Sequence, residues 1–211
     1  MIKTETFDRH PAEYDAWFDK HKAVFASEVE ALRNMLPPGD SHGIEVGLGT
    51  GRFAVALGIK EGVEPAADMR ELALARGIEV MDATAEHLPY KDLHFDFVLM
   101  VSCINYLDQP EDAFREAYRV LKHGGRLVVG TIEKESVIGK SYEARRRQSL
   151  FYHQAIFYPT GKLVERLQNA RFGHFEFSQT LFHPLEEIQS FELSRPGYGE
   201  GSFVVIKAMK K

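Results

Sequence analysis

The sequence predicts an α/β protein built on a doubly wound, mostly parallel β-sheet with helices on both faces. Three observations lead to this class: short apolar segments of strand length alternate with helical patterns, a glycine-rich turn joins the first such strand to a helix, and two closing strands have no clear helix between them. The first two features are typical of parallel βαβ units. The third indicates an antiparallel pair at the end of the chain.

The first element is a predicted helix over residues 11–36. Its apolar positions keep to one face of a 3.6-residue helix, and they are Phe18, Phe25, Val29, Leu32 and Leu36. The run Pro37-Pro38-Gly39 ends the helix.

Five strands are predicted next, over residues 43–46, 59–63, 78–81, 95–100 and 126–131. Helices follow the first, second and fourth strands: one over 52–57, one that starts at Pro65 and is capped by Gly77, and one from Pro110 to the run Lys122-His123-Gly124. This order of elements specifies the parallel part of the sheet.

The rest of the chain contains an irregular segment and the closing strands. Residues 133–159 are rich in charge and aromatic rings and lack clean periodicity, so we expect an insertion over the carboxyl edge of the sheet. A helix is predicted over 160–170 with Thr160 as its N-cap, followed by antiparallel strands over 172–181 and 203–209.

The composition indicates one globular domain, residues 1–211, with 44% hydrophobic residues and 15 Phe. The single cysteine, Cys103, excludes an internal disulfide and favours a cytoplasmic location. A net charge of −5 argues against nucleic-acid binding, and the sequence has neither a signal-peptide pattern nor an apolar run long enough to span a membrane. The histidines show no metal-ligand spacing, so we predict no metal.

A glycine-rich turn after the first strand points to the ligand. Gly47, Gly49 and Gly51 are two residues apart and follow Glu45, whereas a dinucleotide fingerprint has the spacing G-x-G-x-x-G. Bare backbone amides at such a turn allow a ligand to approach closely. Glu64, 17 residues after Gly47, ends the second strand where a carboxylate can accept both hydroxyls of a ribose. The ligand should therefore contain a nucleoside.

With these features the sequence resembles the class I S-adenosylmethionine-dependent methyltransferases, in the small-molecule subgroup that includes the quinone methyltransferases. The likeness covers most of the chain, and it is carried by residues 45–51, 62–65, 84–89, 95–98 and 117–127. It implies a Rossmann-like sheet of seven strands with an antiparallel last strand, and S-adenosylmethionine as the cofactor.

The resemblance also implies a set of site residues. The glycines would face the methionine part, Glu64 the ribose, and Thr84 with Ala85 the adenine; Thr84 departs from the Asp that is frequent there in the family. The expected cofactor-binding residues are Tyr14, Trp17, Glu45, Gly47, Gly49, Gly51, Glu64, Pro65, Thr84, Ala85, Glu86 and Val101. The expected substrate-binding residues are Tyr106, Tyr152 and His153, and no catalytic residue is assigned.

Two segments are expected to close over the site as lids: the N-terminal helical region, residues 1–38, and the insertion, residues 133–159. Tyr14 and Trp17 would offer π faces to the sulfonium cation, or else pack the first helix on the domain. His153 could act as a general base, or lie exposed on a helix.

The sequence therefore predicts a methyltransferase that acts on a small molecule, with no nucleic-acid partner. Two alternatives stay open: a non-catalytic nucleoside-binding regulatory module, and an NAD-dependent oxidoreductase. Both would use the same crevice at the end of the first strand.

Overall fold

The computed structural model describes residues 4–211 and contains one mixed β-sheet of eight strands. The strands are β1 Gly43–Val46, β2 Glu61–Val63, β3 Glu79–Met81, β4 Phe95–Val101, β5 Leu121–Ile132, β6 Phe172–Thr180, β7 Arg195–Pro196 and β8 Phe203–Lys210. The helices are α1 Glu5–Arg9, α2 Pro11–Lys20, α3 Lys22–Arg33, α4 Arg52–Leu57, α5 Ala67–Ala75, α6 Pro110–Val120, α7 Val137–Arg145 and α8 Thr160–Asn169.

The order of the strands across the sheet is β3-β2-β1-β4-β5-β8-β6-β7. The first five in this order are parallel, and β1 pairs with both β2 and β4. Because the strand order reverses between β1 and β4, a crevice opens at the carboxyl ends of these strands. The doubly wound α/β fold is confirmed.

The closing part of the sheet is antiparallel, as predicted. Strand β8 lies between β5 and β6 and runs antiparallel to both. The sheet has eight strands instead of the expected seven because Arg195–Pro196 forms a short edge strand against β6. Two residues are too few to show a strand pattern in the sequence.

Buried apolar side chains form two clusters, one on each face of the sheet. Met100 packs into the cluster that includes α6 and α8, whereas its neighbour Leu99 packs into the cluster that includes α3 and α4. The apolar run of β4 is therefore buried on both sides, as a central parallel strand requires. No helix within residues 4–211 is long and apolar enough to cross a membrane.

The N-terminal region is three helices where one was predicted. The break between α2 and α3 lies at His21, whose backbone leaves the helical region at φ −118°, ψ 47°. Its ring stacks on Trp17 with centroids 4.4 Å apart, and its Nδ1 lies 2.9 Å from the Trp17 carbonyl oxygen. The break lets α2 and α3 take different directions, so α2 reaches the glycine turn while α3 packs on the sheet.

Two predicted boundaries were also wrong. Helix α6 ends at Val120, and β5 begins at once with Leu121. Thr160 is the first residue of α8 and makes no cap; the N-cap position is Pro159. The irregular segment 133–159 contains α7, and Ser136 caps it by accepting the Gly139 N–H at 3.0 Å.

Candidate active site

A cavity of about 630 Å³ opens where the carboxyl ends of β1, β2 and β4 meet. Its size is typical of small-molecule sites. It brings together twelve of the fifteen residues that the sequence suggested: Tyr14, Trp17, Gly47, Gly49, Glu64, Pro65, Thr84, Ala85, Glu86, Val101, Tyr106 and Tyr152. Glu45, Gly51 and His153 do not line it.

The glycine turn has two different roles. Gly47 and Gly49 line the cavity at φ +67° and +57°, in the left-handed region that favours glycine. A Cβ at Gly47 would lie 2.5 Å from the Cβ of Cys103, and one at Gly49 would lie 3.5 Å from the Tyr14 ring. Gly51 instead faces away, where a Cβ would overlap Ile78. Its lack of a side chain lets the turn before α4 pack closely against Ile78 and against Ala73 of α5.

Glu64 joins the end of β2 to this turn. Its carboxylate accepts the Gly49 N–H at 2.8 Å and the Ala66 N–H at 2.9 Å. Burial raises the pKa of Glu64, and these two hydrogen bonds oppose the rise. Each carboxylate oxygen can accept a second hydrogen bond, so capacity remains on the cavity side.

Glu45 lies beneath the turn, in β1, and is 1% exposed. Burial raises its pKa well above the ordinary value. Among residues 4–211, its Oε2 has no hydrogen-bond partner. Glu45 does not line the cavity, and its expected contact with a cofactor stays a prediction.

Asp15 anchors α2 to the glycine turn. Its carboxylate accepts the Thr50 hydroxyl at 2.6 Å and forms ion pairs with Arg52 at 2.5 Å and Arg76 at 2.7 Å. Desolvation opposes ionisation, but the hydrogen bonds from Arg52, Thr50 and Arg76 outweigh it and lower the pKa of Asp15 to about 2. Asp15 of α2 is thereby tied to Arg52 of α4 and to Arg76, which directly follows α5.

Aromatic rings cover the cavity from the N-terminal side. Phe7 of α1 contacts Tyr14, Tyr106 and Phe151, with ring centroids 5.7, 4.9 and 5.8 Å apart. These rings come from three separate parts of the chain: the N-terminal region, the loop after β4 and the segment 133–159. Phe7 and Phe151 were not predicted, because nothing in the local sequence marks them as partners.

The cavity is also lined by an acidic side chain that the sequence did not predict. Glu28 of α3 lines the cavity and is 7% exposed. Burial raises its pKa to about 8. A signal was present in the sequence: Phe25, Glu28, Val29 and Leu32 follow the i, i+3, i+4, i+7 pattern of one helix face, so a carboxyl interrupts an apolar stripe.

Tyr142 and Tyr152 line the same cavity as Glu28. Their rings stack with centroids 4.3 Å apart, and the Tyr142 hydroxyl donates to that of Tyr152. His153 instead is exposed, with Nδ1 2.8 Å from the Leu150 carbonyl oxygen. This placement does not support the hypothesis of a general base at His153.

Cys103 lines the cavity as a half-buried thiol next to Gly47. Desolvation raises its pKa, and the nearby Glu45 and Glu64 raise it further, so the thiol stays protonated and weakly nucleophilic. Within residues 4–211, no group of three or more His, Cys, Asp and Glu side chains is arranged to bind a metal ion.

Comparison with known proteins places this site in context. Residues 44–129 match the family model described as a methyltransferase domain. An uncharacterised protein of Methanocaldococcus jannaschii is 40% identical over 204 residues, which cover 97% of this chain and 98% of that protein. The ubiquinone/menaquinone biosynthesis C-methyltransferase of Azotobacter vinelandii is 37% identical over 93 residues, 43% of this chain and 34% of that enzyme.

A solved structure covers nearly the whole chain. It is an S-adenosylmethionine-dependent methyltransferase of Thermotoga maritima, described as a possible histamine N-methyltransferase, with a TM-score of 0.95 and 46% identity. The alignment covers 98% of this chain and 99% of that one. Neither alternative hypothesis, the non-catalytic module or the NAD-dependent oxidoreductase, is supported by these likenesses.

Proposed function

The chain belongs to the S-adenosylmethionine-dependent methyltransferase family, and from this premise we propose that it transfers the methyl group of S-adenosylmethionine to a small-molecule acceptor in the cavity. The observation that carries the proposal is that one cavity extends from Gly49 and Glu64 to Tyr142 and Tyr152. Donor and acceptor can therefore share a single enclosed space. Holding two reactants in line in such a space lowers a barrier by about 7 to 11 kcal/mol in favourable cases.

The residues near β1, β2 and β3 suit the donor. The space beside Gly49, which a longer side chain would fill, admits the methionine part, and the free acceptor capacity of Glu64 suits the ribose hydroxyls. Thr84, Ala85 and Glu86 follow β3 and suit the adenine. When bound, the cofactor supplies an electrophilic methyl group on a sulfonium cation.

The rings around the cavity suit the sulfonium. Tyr14 and Tyr106 line the cavity, and burial raises the pKa of both phenols, so they stay neutral and present π faces. A cation over such a face gains about 0.5 to 2 kcal/mol. The same rings exclude water from the reacting atoms.

The two predicted lid segments contribute to the enclosure. Tyr14 and Trp17 come from the N-terminal region, and Tyr142, Phe151 and Tyr152 come from the segment 133–159. We propose that both segments open for exchange of cofactor and product. The Asp15 ion pairs would keep α2 in place while the cofactor is bound.

The direct test combines calorimetry with an activity assay. S-adenosylmethionine and S-adenosylhomocysteine should bind, whereas NAD should not. Methyl-labelled donor should then transfer its label to at least one member of a metabolite library. Tight binding of NAD with no binding of either sulfur ligand would reject the proposal, and donor binding without transfer to any acceptor would favour a non-catalytic role.

A further inference from the structure

Glu28 is the one acidic side chain of the cavity that is both deeply buried and without a polar partner among residues 4–211. Its carboxyl makes no hydrogen bond or ion pair there. Glu64, by contrast, accepts two backbone N–H groups. An unpaired carboxyl in an apolar wall costs free energy in the empty protein, so its presence points to a ligand that supplies the missing partner.

The surroundings of Glu28 define what that ligand must be. Burial is the main cause of the raised pKa of Tyr14, Tyr142 and Tyr152, and the negative charge of Glu28 raises it further, so all three phenols lie within its electrostatic reach. The hydroxyl of Tyr142 already donates to Tyr152. The wall thus offers one carboxyl group among aromatic rings. A cation placed beside it favours the ionised form of the carboxyl, so the wall suits a compact cation with an apolar body.

The position of Glu28 separates it from the donor end. Gly49 and Glu64, which suit the nucleoside, follow strands β1 and β2, and a Cβ at Gly49 would lie 3.5 Å from the Tyr14 ring. Glu28 lines the same cavity from helix α3, and Tyr142 and Tyr152 line it from the segment 133–159. Glu28 therefore belongs to none of the strand-end loops that suit the donor, which leaves it for the acceptor.

We propose that the acceptor is an amine that enters as an ammonium ion, that Glu28 pairs with it, and that Glu28 receives its proton. This inference rests on the proposed methyltransferase function. It names both the substrate class and the residue that selects it.

When the ammonium ion enters, pairing with it favours the ionised form of Glu28, whose proton passes to water. The ammonium then gives one proton to the Glu28 carboxylate and becomes a neutral amine. The nitrogen lone pair then forms the N–C bond while the S–C bond breaks, and that electron pair stays on sulfur, which becomes a neutral thioether. The product leaves as a methylated ammonium ion, and the proton on Glu28 passes to water. Burial of the carboxyl raises its proton affinity, which suits it to accept from an amine.

The test uses the full chain loaded with S-adenosylhomocysteine for binding and with methyl-labelled donor for turnover. The probes are histamine, phenethylamine and its uncharged isostere 2-phenylethanol, with 4-ethylphenol as a neutral phenol. The variants are Glu28→Gln, which keeps size and removes charge, and Glu28→Asp, which keeps charge. Glu30→Gln is the matched control, because Glu30 lies on the same helix but bonds to Ser194 and Asn34 outside the cavity.

We expect the amines to bind and to be labelled, and the alcohol and the phenol to do neither. Glu28→Gln should weaken amine binding at least tenfold and lower kcat/KM at least 100-fold, with the dissociation constant of S-adenosylmethionine unchanged within twofold. Glu28→Asp should retain part of the activity, and Glu30→Gln all of it.

Any one of three results would overturn the inference: phenethylamine and 2-phenylethanol bind equally well, no amine binds to the loaded protein, or Glu28→Gln turns over amines at the wild-type rate. Weaker donor binding in Glu28→Gln would show instead that this carboxylate serves the sulfonium. If the protein labels only neutral acceptors, the methyltransferase proposal stands and the amine inference alone fails; if neither sulfur ligand binds, the proposed function itself fails.

Discussion

The unpaired carboxyl of Glu28 should make the stability of the empty protein depend on pH in a direction that can be calculated. Its pKa is raised by burial from an ordinary 4.5 to about 8 on folding. Between these values the folded chain keeps a proton that the unfolded chain has released. Stability should therefore fall as pH rises from about 4.5 to about 8, and level off above that.

The size of the effect follows from the same two values. A tenfold change in proton affinity corresponds to about 1.4 kcal/mol, so the raised pKa of Glu28 lowers the stability of the folded state by roughly 4 kcal/mol at pH 8 and roughly 3 kcal/mol at pH 7. The Glu28→Gln variant lacks this cost. Because the amide and the neutral acid are similar in size, the two proteins should be equally stable near pH 5 and diverge above it.

Urea denaturation of wild type and Glu28→Gln at pH 5, 6, 7 and 8 measures this difference. At pH 8 the variant should also melt about 10 °C higher, given about 2 to 4 °C per kcal/mol for a chain of this size. The Glu30→Gln control should show no such gain, since that carboxylate has hydrogen-bond partners. Parallel stability curves for wild type and Glu28→Gln would refute the reasoning and mean that the carboxyl is solvated or paired in solution.

Three further substitutions test the donor end. Glu64→Ala should weaken the binding free energy of S-adenosylmethionine by about 1.5 to 3 kcal/mol, because a charged acceptor is lost. Calorimetry measures this change, and an unchanged dissociation constant would contradict the ribose role. Gly49→Val should abolish binding and cost about 1 to 2 kcal/mol of stability, since φ is +57° there, while circular dichroism stays native; surviving affinity would mean that the turn does not face the cofactor. Asp15→Asn should lose about 1 to 2 kcal/mol in urea denaturation at pH 7, a value reduced for partial exposure. The wild-type contribution should be full above pH 3.8 and vanish as pH falls through about 2, so an equal loss at pH 2 would count against the ion pairs.

The local parts of this fold could be predicted from the sequence because each depends on neighbouring residues. The strand before Gly47 and the helix after Gly51 are both where the pattern indicated. The break at His21 could not be predicted, since the apolar stripe runs through it without interruption. The break depends on how α2 and α3 dock, and the anchoring contacts of α2 are made by residues far along the chain, such as Arg76.

In the cavity, too, features set by neighbouring residues could be predicted and features set by distant contacts could not. Glycine spacing and an acid after the second strand predict the donor end, because phosphate- and nucleoside-type ligands bind backbone at strand ends. The covering by Phe7, Tyr106 and Phe151 needs contacts between residues about a hundred or more positions apart. Composition and periodicity carry no information on such pairs.

Glu28 and Glu64 are both buried carboxyls of one cavity, and the structure treats them in opposite ways. Two backbone N–H groups hold Glu64 in place and oppose the effect of burial, so that carboxylate suits neutral hydroxyl donors. Glu28 receives nothing comparable from residues 4–211, so burial acts on it unopposed. Carboxyls whose environments push their proton affinities apart commonly divide the work of a site. Here the division would assign recognition of the nucleoside to Glu64 and the handling of an acceptor's charge and proton to Glu28, which is why substitutions at the two positions should separate donor affinity from acceptor turnover.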